Sequence, residues 1–373
     1  MKRLMLCCIL MCLSLSACSE ARQVENQAFV ILLGLDGGDA EEIELSVQVP
    51  KIKGGDPASS EDSEYMIMQA AGQGFTDALE MLSIASPRRI NLTEVKMIVV
   101  AEDLARKPAF RRRLSELSET YTLYGTSFFA VCEGKARDFI ERQVPLFSGG
   151  VSDSLTALLE HHSSLGYIPK CTIADMCYLT NSIYSDPIAI YAGESKEGLE
   201  AAPAAETPAQ VKPEQAPADA EGGNIYAGVC LFRDGVMIGT LNAAEMAYIN
   251  VLRGNLKELT CTFAGNAYHV LTSGRAKTEI TEASGNTRIA YRQRFRIYPL
   301  SPADDISAFE AWFSEEISNV IKKAQRLRVE PFGFAEKNSG RFLTLEDWKA
   351  YGWRDRFPNA EVIVDLEMRV VSH

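Results

Sequence analysis

Histidine is scarce in this chain, and cysteine does not occur at the spacing of metal ligands. Among 373 residues there are 4 histidines and 9 cysteines, and no Cys-x-x-Cys pair occurs. His161 and His162 are neighbours in a segment with a helical pattern, where successive side chains diverge by about 100° and cannot both face one ion. We therefore predict no metal site and no cofactor.

The motifs of common enzyme classes are also missing. The segment SDSL at 152–155 lacks the flanking glycines of a nucleophile elbow, and there is neither a Gly-x-x-x-x-Gly-Lys loop nor a Gly-x-Gly-x-x-Gly turn after a strand. Three tryptophans, Trp312, Trp348 and Trp353, could line a ligand site, but packing in a core or at its edge is their more frequent role. We predict that the protein is not an enzyme and has no catalytic residue.

Positive charge is in short supply. Lys and Arg total 38 against 50 Asp and Glu, which gives a formal net charge of -12 at pH 7. Such a surface repels nucleic acid and anionic lipid head groups alike. We therefore predict no nucleic-acid partner, and we expect any contact with a membrane to come from an attached lipid and not from a basic patch.

The apolar run at the amino terminus is too short for a good transmembrane helix, which takes about 20 apolar residues. It extends from Leu4 to Leu15, follows Lys2 and Arg3, and is succeeded by serines and a cysteine. A charged start with a short hydrophobic middle is typical of a secretory signal peptide. We assign residues 1–17 to this signal peptide.

Small residues precede a single cysteine where this run ends. The order Leu15-Ser16-Ala17-Cys18 resembles a bacterial lipobox, in which a diacylglyceryl group is attached to the cysteine thiol and the chain is cut just before it. Two acyl chains anchor a protein stably without spanning the bilayer. Cys18 is therefore the predicted lipid-attachment site. The alternative is an ordinary signal peptide in which Cys18 is incidental.

Five cysteines remain once the leader is removed and Cys18 is modified, and five cannot all pair. Two of them, Cys132 and Cys230, lie in the apolar strand-like runs SFFAVC and AGVCLF, where a free thiol behaves as a small hydrophobe. The sequence leaves open the state of all five, which are Cys132, Cys171, Cys177, Cys230 and Cys261.

Alanine and proline dominate one internal segment. Residues 201–220 contain eight alanines and four prolines, a composition that cannot bury enough apolar surface to offset chain ordering. We predict a linker or surface loop here. The predicted division of the mature chain is an N-terminal α/β domain at 18–195, the linker at 196–223, and a C-terminal α+β region at 224–373, either undivided or split into 224–265 and 266–373.

Strand and helix patterns alternate before the linker. The apolar run AFVILLGL and the alternating residues from Ile43 to Val49 predict a β-hairpin. An apolar face from Phe75 to Leu82 predicts a helix that ends before Pro87. The runs EVKMIVV and TSFFAVC are predicted strands, each followed by a helical stretch, and SDSLTALLEHHSSLG predicts another helix.

After the linker the pattern changes to hairpins and one long helix. Asp234-Gly235 predicts a tight turn between two strands, and Asn242 is placed to cap the next helix. Two long strands around ASGN and the closing strand AEVIVDLEMRVV complete the region, together with a helix that Ser301 caps and that has apolar residues at helical spacing from Ile306 to Leu327. We predict an antiparallel sheet here with a helix on one face. For the whole chain we predict a multi-domain α+β fold with mixed or antiparallel sheets.

Several segments, taken in order, resemble one known family. They are the lipobox, AFVILLGLD, NLTEVKMIVVAEDLAR, SFFAVCEGKARDFI, YAGVCLFRDGVMIGTL and EPFGFAEKN followed by WRDRFPNAEVIVDLEMRV. In this order the chain is similar to the Ger(x)C family, the C-subunit lipoproteins of bacterial spore germinant receptors. The most specific pieces are the Gly228–Leu241 hairpin, Phe332–Phe334, and Trp353 with Phe357-Pro358.

This resemblance implies a non-enzymatic subunit on the outer face of the inner spore membrane. It would act with two integral membrane subunits in nutrient-triggered germination, and its one carried-over functional position is Cys18. Exposed aromatic residues often dominate the energy of an interface. The region that contains FGF at 332–334, Trp348, Trp353 and Phe357 is therefore expected to offer a docking surface for those subunits, with some of these aromatics in the core.

Two other classes of protein remain to be weighed. The main alternative is a solute-binding lipoprotein of a transporter, which needs two similar lobes with parallel sheets around a cleft. A surface-attached hydrolase needs a nucleophile or metal constellation that the sequence does not show.

Overall fold

Strands and helices alternate along the chain in the computed structural model, which describes residues 26–39, 42–51, 65–120, 123–143, 150–193, 224–283, 286–299 and 306–371. The strands are β1 (Gln27–Phe29), β2 (Leu32–Gly37), β3 (Ile43–Pro50), β4 (Tyr65–Gly72), β5 (Arg89–Asn91), β6 (Met97–Ala101), β7 (Phe128–Cys132), β8 (Ile188–Gly193), β9 (Ile225–Arg233), β10 (Val236–Leu241), β11 (Glu258–Phe263), β12 (Asn266–Ala283), β13 (Asn286–Pro299) and β14 (Glu361–Val370). The helices are α1 (Phe75–Ala85), α2 (Glu102–Ala105), α3 (Phe110–Glu119), α4 (Ala136–Glu141), α5 (Gly150–Ser164), α6 (Ile173–Thr180), α7 (Ala243–Arg253), α8 (Ile306–Arg326), α9 (Phe334–Ser339), α10 (Leu345–Tyr351) and α11 (Trp353–Arg356).

The larger sheet contains eight strands in the order β10-β9-β8-β7-β6-β2-β3-β4. Its centre is parallel, because β2 pairs with β6, β6 with β7 and β7 with β8. The predicted hairpin is confirmed as antiparallel β2 and β3, with Leu35 opposite Leu45. Strand β4 extends this edge, and β1 pairs with β5 in a separate parallel sheet of two strands.

Helices cover both faces of this larger sheet. Every residue of β6 is buried, as expected for a central strand of a parallel sheet. Its alternate residues point to opposite faces, so Ile98 and Val100 join one core while Met97 and Val99 join the other. Helices α1, α3 and α6 pack in the first core, and α4 and α5 pack in the second.

The smaller sheet has the strand order β11-β12-β13-β14. The two long strands predicted around ASGN are confirmed as antiparallel β12 and β13. The expectation of an antiparallel sheet is wrong for the closing strand, because β14 pairs parallel with β13, with Tyr291 opposite Val364. Between these strands the chain passes through α8 to α11, and a crossover of this length lets it re-enter the sheet in the same direction.

Residues along β13 alternate between a buried and an exposed face. The inward residues are covered by the apolar stripe of α8, which confirms the helical spacing predicted for that segment. The packed set is Ile289, Tyr291, Phe295 and Ile297 on β13 with Phe309, Phe313, Ile317, Val320 and Ala324 on α8. The predicted cap of this helix, Ser301, lies outside the described residues.

The hairpin of β9 and β10 lies at one edge of the larger sheet. Strand β9 pairs antiparallel with β8, with Ala189 opposite Cys230, so residues that follow the predicted linker complete a sheet built of residues that precede it. The tight turn is confirmed at Asp234 and Gly235, whose φ angles are 52° and 80°. The linker at 196–223 lies outside the described residues, and the division of domains stays a prediction.

Helix α7 follows this hairpin directly and begins as the sequence predicts. The Asn242 side chain accepts the backbone N–H of Glu245 at 2.9 Å, and the Glu245 carboxylate accepts the backbone N–H of Asn242 at 2.8 Å. The apolar residues Met246 and Leu252 then enter the core under the smaller sheet. The two sheets therefore meet around one shared core, and the predicted α+β class with mixed sheets is confirmed.

Candidate functional site

Two buried carboxylates face each other where the larger sheet meets the helices of the C-terminal region. Asp186 lies just before β8 and Glu330 lies in the segment after α8, and each is 4% exposed. The Asp186 Oδ2 atom accepts the backbone N–H of Glu330 at 3.0 Å. A buried carboxylate is tolerated when hydrogen bonds or opposite charges compensate for lost water, so the partners of this pair decide its role.

Backbone N–H groups at the start of α9 surround the Glu330 carboxylate. Its oxygens accept the N–H of Phe332 at 2.7 Å and that of Ala335 at 3.0 Å. Residue Gly333, the N-cap of α9, provides no side-chain acceptor, so Glu330 supplies it from outside the helix. Burial raises the pKa of Glu330 to about 7, although these backbone hydrogen bonds oppose that rise.

One arginine joins this region to the hairpin of the larger sheet. The Arg354 guanidinium contacts Asp234 Oδ1 at 2.6 Å and Asp186 Oδ1 at 3.4 Å. Burial raises the pKa of Asp186, and the hydrogen bond from Glu330 and the charge of Arg354 oppose that rise. We call the set Asp186, Asp234, Glu330 and Arg354 the ionic junction. It links the turn of β9 and β10, the segment before β8, and the helices after α8.

A shallow cleft lies over the ionic junction, and the indole nitrogen of one tryptophan has no acceptor there. Trp353 lines the cleft and is 4% exposed, yet its Nε1–H has no acceptor among the described residues. Asp186 accepts the backbone N–H of Glu330 and pairs with Arg354 within this lining, and Arg328 pairs with Asp355 outside it. The complete lining is Ile183, Tyr184, Ser185, Asp186, Arg328, Glu330, Trp353, Arg354 and Phe357. The ion pairs of Arg354 with Asp186 and Asp234, and the hydrogen bond between Asp186 and Glu330, suit this arrangement to holding the two parts of the molecule together.

The predicted aromatic docking surface is wrong, because these side chains form a core. Phe332 and Phe334 are 0% exposed, and Trp348, Trp353 and Phe357 are no more than 4% exposed. The Trp353 ring lies 6.2 Å from Trp348 and 6.1 Å from Phe357, measured between ring centroids. The Trp348 Nε1–H donates to the Ile183 carbonyl at 3.3 Å. These aromatics fill the space between the C-terminal helices and the larger sheet.

The third tryptophan has the edge role that the sequence favours. Trp312 is partly buried and packs against the core under the smaller sheet. Its ring centroid lies 5.3 Å from that of Phe263 and 5.7 Å from that of Phe309. Trp348 and Trp353 lie together in the aromatic group described above, and Trp312 lies apart from them. The three tryptophans therefore do not converge on one ligand site.

The neighbouring histidines diverge as expected on α5. His161 is exposed, whereas His162 is partly buried with its Nδ1 atom 3.4 Å from the Tyr226 carbonyl oxygen. Burial lowers the pKa of His162. Across the part of the chain that the structure describes, no three His, Cys, Asp or Glu side chains come together as a potential metal site.

The five described cysteines are free thiols. Cys132, Cys171 and Cys230 are buried, as predicted for the two in strands, and Cys177 and Cys261 are partly buried. Burial raises the pKa of Cys261 to about 12 and that of Cys132 further. A protonated thiol is a poor nucleophile, so these side chains act as core packing.

The leader and the lipobox lie outside the described residues, so Cys18 as the lipid-attachment site stays a prediction. No helix in the described ranges is long and apolar enough to cross a membrane.

Comparison with known proteins places both halves of the chain in one class, the spore germination proteins. The family described as "Spore germination protein N-terminal domain" matches residues 20–193, and the family described as "Spore germination B3/ GerAC like, C-terminal" matches residues 227–373. The chain belongs to the Ger(x)C family.

A solved structure has the same fold. The crystal structure of the GerBC protein superposes with a TM-score of 0.53 at 13% sequence identity, covering 91% of this chain and 97% of that one. No curated protein matches. The alternative of a solute-binding lipoprotein is not favoured, because an eight-stranded and a four-stranded sheet are not two similar lobes.

Sequence reasoning missed the ionic junction. Two of its acids, Asp186 and Glu330, are separated by 144 positions, and no motif marks either of them. One signal was available: Glu330 stands alone between Val329 and Pro331-Phe332, an apolar setting in which a carboxylate must find compensating partners.

Proposed function

We propose that this chain is the lipid-anchored, non-enzymatic subunit of a spore germinant receptor. It acts with integral membrane subunits in nutrient-triggered germination and is held by Cys18 on the outer face of the inner spore membrane. The observation that carries the proposal is the match of both family models in order, across residues 20–193 and 227–373.

The use of buried polar groups supports a non-enzymatic role. Perturbed pKa values mark catalytic sites when the group is free to react. Here Glu330 and Asp186 are bound to backbone N–H groups and to Arg354. Asp36, another buried carboxylate, likewise accepts the backbone N–H groups of Ala136 and Arg137. Each of these carboxylates already has a structural use.

The anchor is tested by replacing Cys18 in spores that lack the native chain. We expect Cys18→Ala to abolish incorporation of a labelled fatty acid and to release the protein from the membrane fraction, because acyl chains supply the attachment. Germination triggered by nutrients should fall as the protein is lost from the membrane. Cys12→Ala is the matched control, since this residue lies in the leader and should leave labelling unchanged. Membrane retention of a cleaved Cys18→Ala protein would contradict the proposal.

The partners are tested independently of the anchor. Cross-linking in isolated inner spore membranes, followed by purification of this chain, should recover integral membrane proteins of the same receptor. A chain that is correctly lipidated yet recovers no such protein would contradict the role as a receptor subunit while leaving the anchor intact.

A further inference from the structure

The exposed face of the smaller sheet carries a row of arginines. Alternate residues of β13 point away from α8, and four of these are arginines: Arg288, Arg292, Arg294 and Arg296, all exposed. Strand β13 lies between β12 and β14, so the row runs along the middle of the sheet face. In a chain of net charge -12, such a local excess of positive charge has to be explained by its neighbours or by a partner.

Neighbouring carboxylates account for the first half of this row. Arg288 Nε lies 2.7 Å from Glu361 Oε2, and Arg292 Nε lies 3.2 Å from Asp365 Oδ2, both across the parallel pair with β14. Arg292 also approaches Glu279 on β12 at 3.8 Å. These two guanidinium groups are therefore neutralised within the sheet.

The second half of the row has no such partners. Glu367 stands in register with Arg294 but pairs with Arg369 at 2.7 Å. Arg294 and Arg296 make no ion pair with any described residue. The same holds for two exposed cations of the adjacent strand β12, Arg275 and Lys277. We call Arg275, Lys277, Arg294 and Arg296 the arginine cluster.

A bulge in β12 brings these cations together. The register between β12 and β13 shifts between Ser273 and Lys277, and the buried Gln293 amide bridges the shift by donating to the carbonyls of Ser273 at 3.3 Å and Gly274 at 3.4 Å. Gly274 takes a positive φ of 74° there, a conformation that costs glycine little. A buried side chain thus holds the bulge that contains Arg275, between Ser273 opposite Arg294 and Lys277 opposite Arg292.

The surroundings of the cluster suit phosphate groups better than a protein surface. The centre of a protein interface is typically apolar, rich in aromatic residues and depleted of charge. No large hydrophobic side chain is exposed on the described residues of β11 to β13. Arginine, by contrast, binds a phosphate through two parallel N–H donors. Ile363 on β14 is 41% exposed but stands opposite Ala290, near the paired half of the row. Around the cluster itself the face therefore offers mainly charge and hydrogen-bond donors.

We propose that the arginine cluster contacts the anionic phospholipid head groups of the membrane that holds the protein. The proposal rests on the proposed function, since the anchor at Cys18 brings the body close to the bilayer. Charges are screened beyond about 10 Å in 0.1 M salt, so at contact distance the local cluster counts and the net charge of the chain does not. The cluster then orients the body with the exposed face of the smaller sheet toward the membrane.

The test uses the unlipidated mature chain, residues 19–373, and two kinds of vesicle. One contains phosphatidylcholine alone, and the other contains about 30% phosphatidylglycerol. We expect flotation with the anionic vesicles at about 0.02 M salt, loss of that binding as salt rises, and no flotation with neutral vesicles. Arg294→Gln with Arg296→Gln should weaken binding at least about tenfold.

The matched control removes the same charge elsewhere. Arg106 and Arg137 are exposed and paired with Glu102 and Glu141 on helices of the larger sheet. Arg106→Gln with Arg137→Gln should leave vesicle binding within about twofold. Equal losses in both double variants would overturn the proposal, because net charge alone would then explain the binding. Absence of binding to anionic vesicles at low salt would overturn it as well.

A third result would assign the face to another partner. If the cluster variant binds vesicles normally but no longer recovers the membrane subunits from spores, the face contacts protein and the lipid proposal is wrong. The vesicle readouts use the unlipidated chain and do not depend on acylation of Cys18, so a failure of the anchor is seen separately in the labelling of the Cys18→Ala spores.

Discussion

The two large sheets of this protein differ in how many of their faces are covered. Helices pack on both faces of the larger sheet, and every residue of its central strand β6 is buried. In the smaller sheet α8 covers one face of β13, while the arginines of the other face are exposed. A face without helices can therefore vary in charge at little cost to folding, whereas a covered face must pair every polar group that it contains.

The polar residues of the larger sheet show the cost of double coverage. Asp36 is 0% exposed and accepts two backbone N–H groups at the start of α4, at 2.8 and 3.0 Å. Gln48, also buried, donates through Nε2 to the carbonyl of Gln143 at 3.3 Å, while its Oε1 atom has no partner among the described residues. Such groups are bound within the fold and are not available to a partner. The unpaired arginines of the smaller sheet are free of that constraint.

The largest effect is expected from the covered face of the smaller sheet. Phe295 lies between Arg294 and Arg296 on β13 but points to the opposite face and is buried. Phe295→Ala should lower the free energy of unfolding by about 3–5 kcal/mol, because it removes contacts and leaves a cavity under α8. Urea unfolding followed by circular dichroism measures this. A loss below about 1 kcal/mol would show that α8 does not seal this face.

The next largest effect is the pH dependence of the unfolding free energy that Glu330 causes in the ionic junction. Burial raises the pKa of Glu330 from 4.5 to about 7, so the folded protein holds this proton more tightly than the unfolded chain does. Its contribution to stability is present below about pH 4.5 and is lost as pH rises to about 7, by about 3 kcal/mol in total. Glu330→Gln cannot titrate and should remove this slope.

The control for this pH effect lies on α9, the helix whose start the Glu330 carboxylate binds. Glu336 is exposed on α9, and Glu336→Gln should retain the slope of the unfolding free energy between pH 5 and pH 8. Unfolding curves of the native chain and both variants at several pH values decide the matter. A slope that persists in Glu330→Gln would show that another group carries it.

A smaller loss is expected from the buried acid of the larger sheet. Asp36→Ala leaves the N–H groups of Ala136 and Arg137 without their acceptor in a covered site. The free energy of unfolding should fall by about 2–3 kcal/mol. As a control, Asp138→Ala changes an exposed acid in the first turn of α4, the helix that begins at Ala136. This variant should lose about 0.5 kcal/mol of unfolding free energy. Equal losses would mean that the charge near α4 matters and the burial does not.

The smallest effect is expected on the exposed face. Arg294→Gln with Arg296→Gln should change the free energy of unfolding by less than about 0.5 kcal/mol, since neither side chain has an ion-pair partner among the described residues. Thermal unfolding of this variant beside Phe295→Ala compares the two faces of one strand directly. A large loss in the arginine variant would show that these side chains support the fold.

Local features of the fold were predictable from the sequence. The turn at Asp234-Gly235, the cap at Asn242 and the apolar stripe of α8 were each predicted and are each confirmed. These features depend on backbone preferences and hydrogen bonds within a few residues. The alternating arginines of TRIAYRQRFRI can be read in the same way once the segment is known to be a strand.

The docking surface shows where such reasoning fails. Trp348, Trp353 and Phe357 carry the same sequence signal whether they are exposed or buried, because an aromatic residue suits both an interface and a core. The structure buries them against residues more than 160 positions away, such as Ile183. The net charge of -12 has a similar limit, since a sum over the chain says nothing of where four cations lie.

The sequence by itself determined the leader pattern, the local elements and the resemblance to a family, because each of these depends on residues that are close together along the chain. Only the tertiary structure decided that β14 enters the sheet parallel to β13, that Glu330 and Asp186 meet across 144 positions, and which side of β13 is open. The physical reason is common to all three. Alternation assigns residues to two faces of a strand, but the helix that packs on one of them decides which face is core and which is surface.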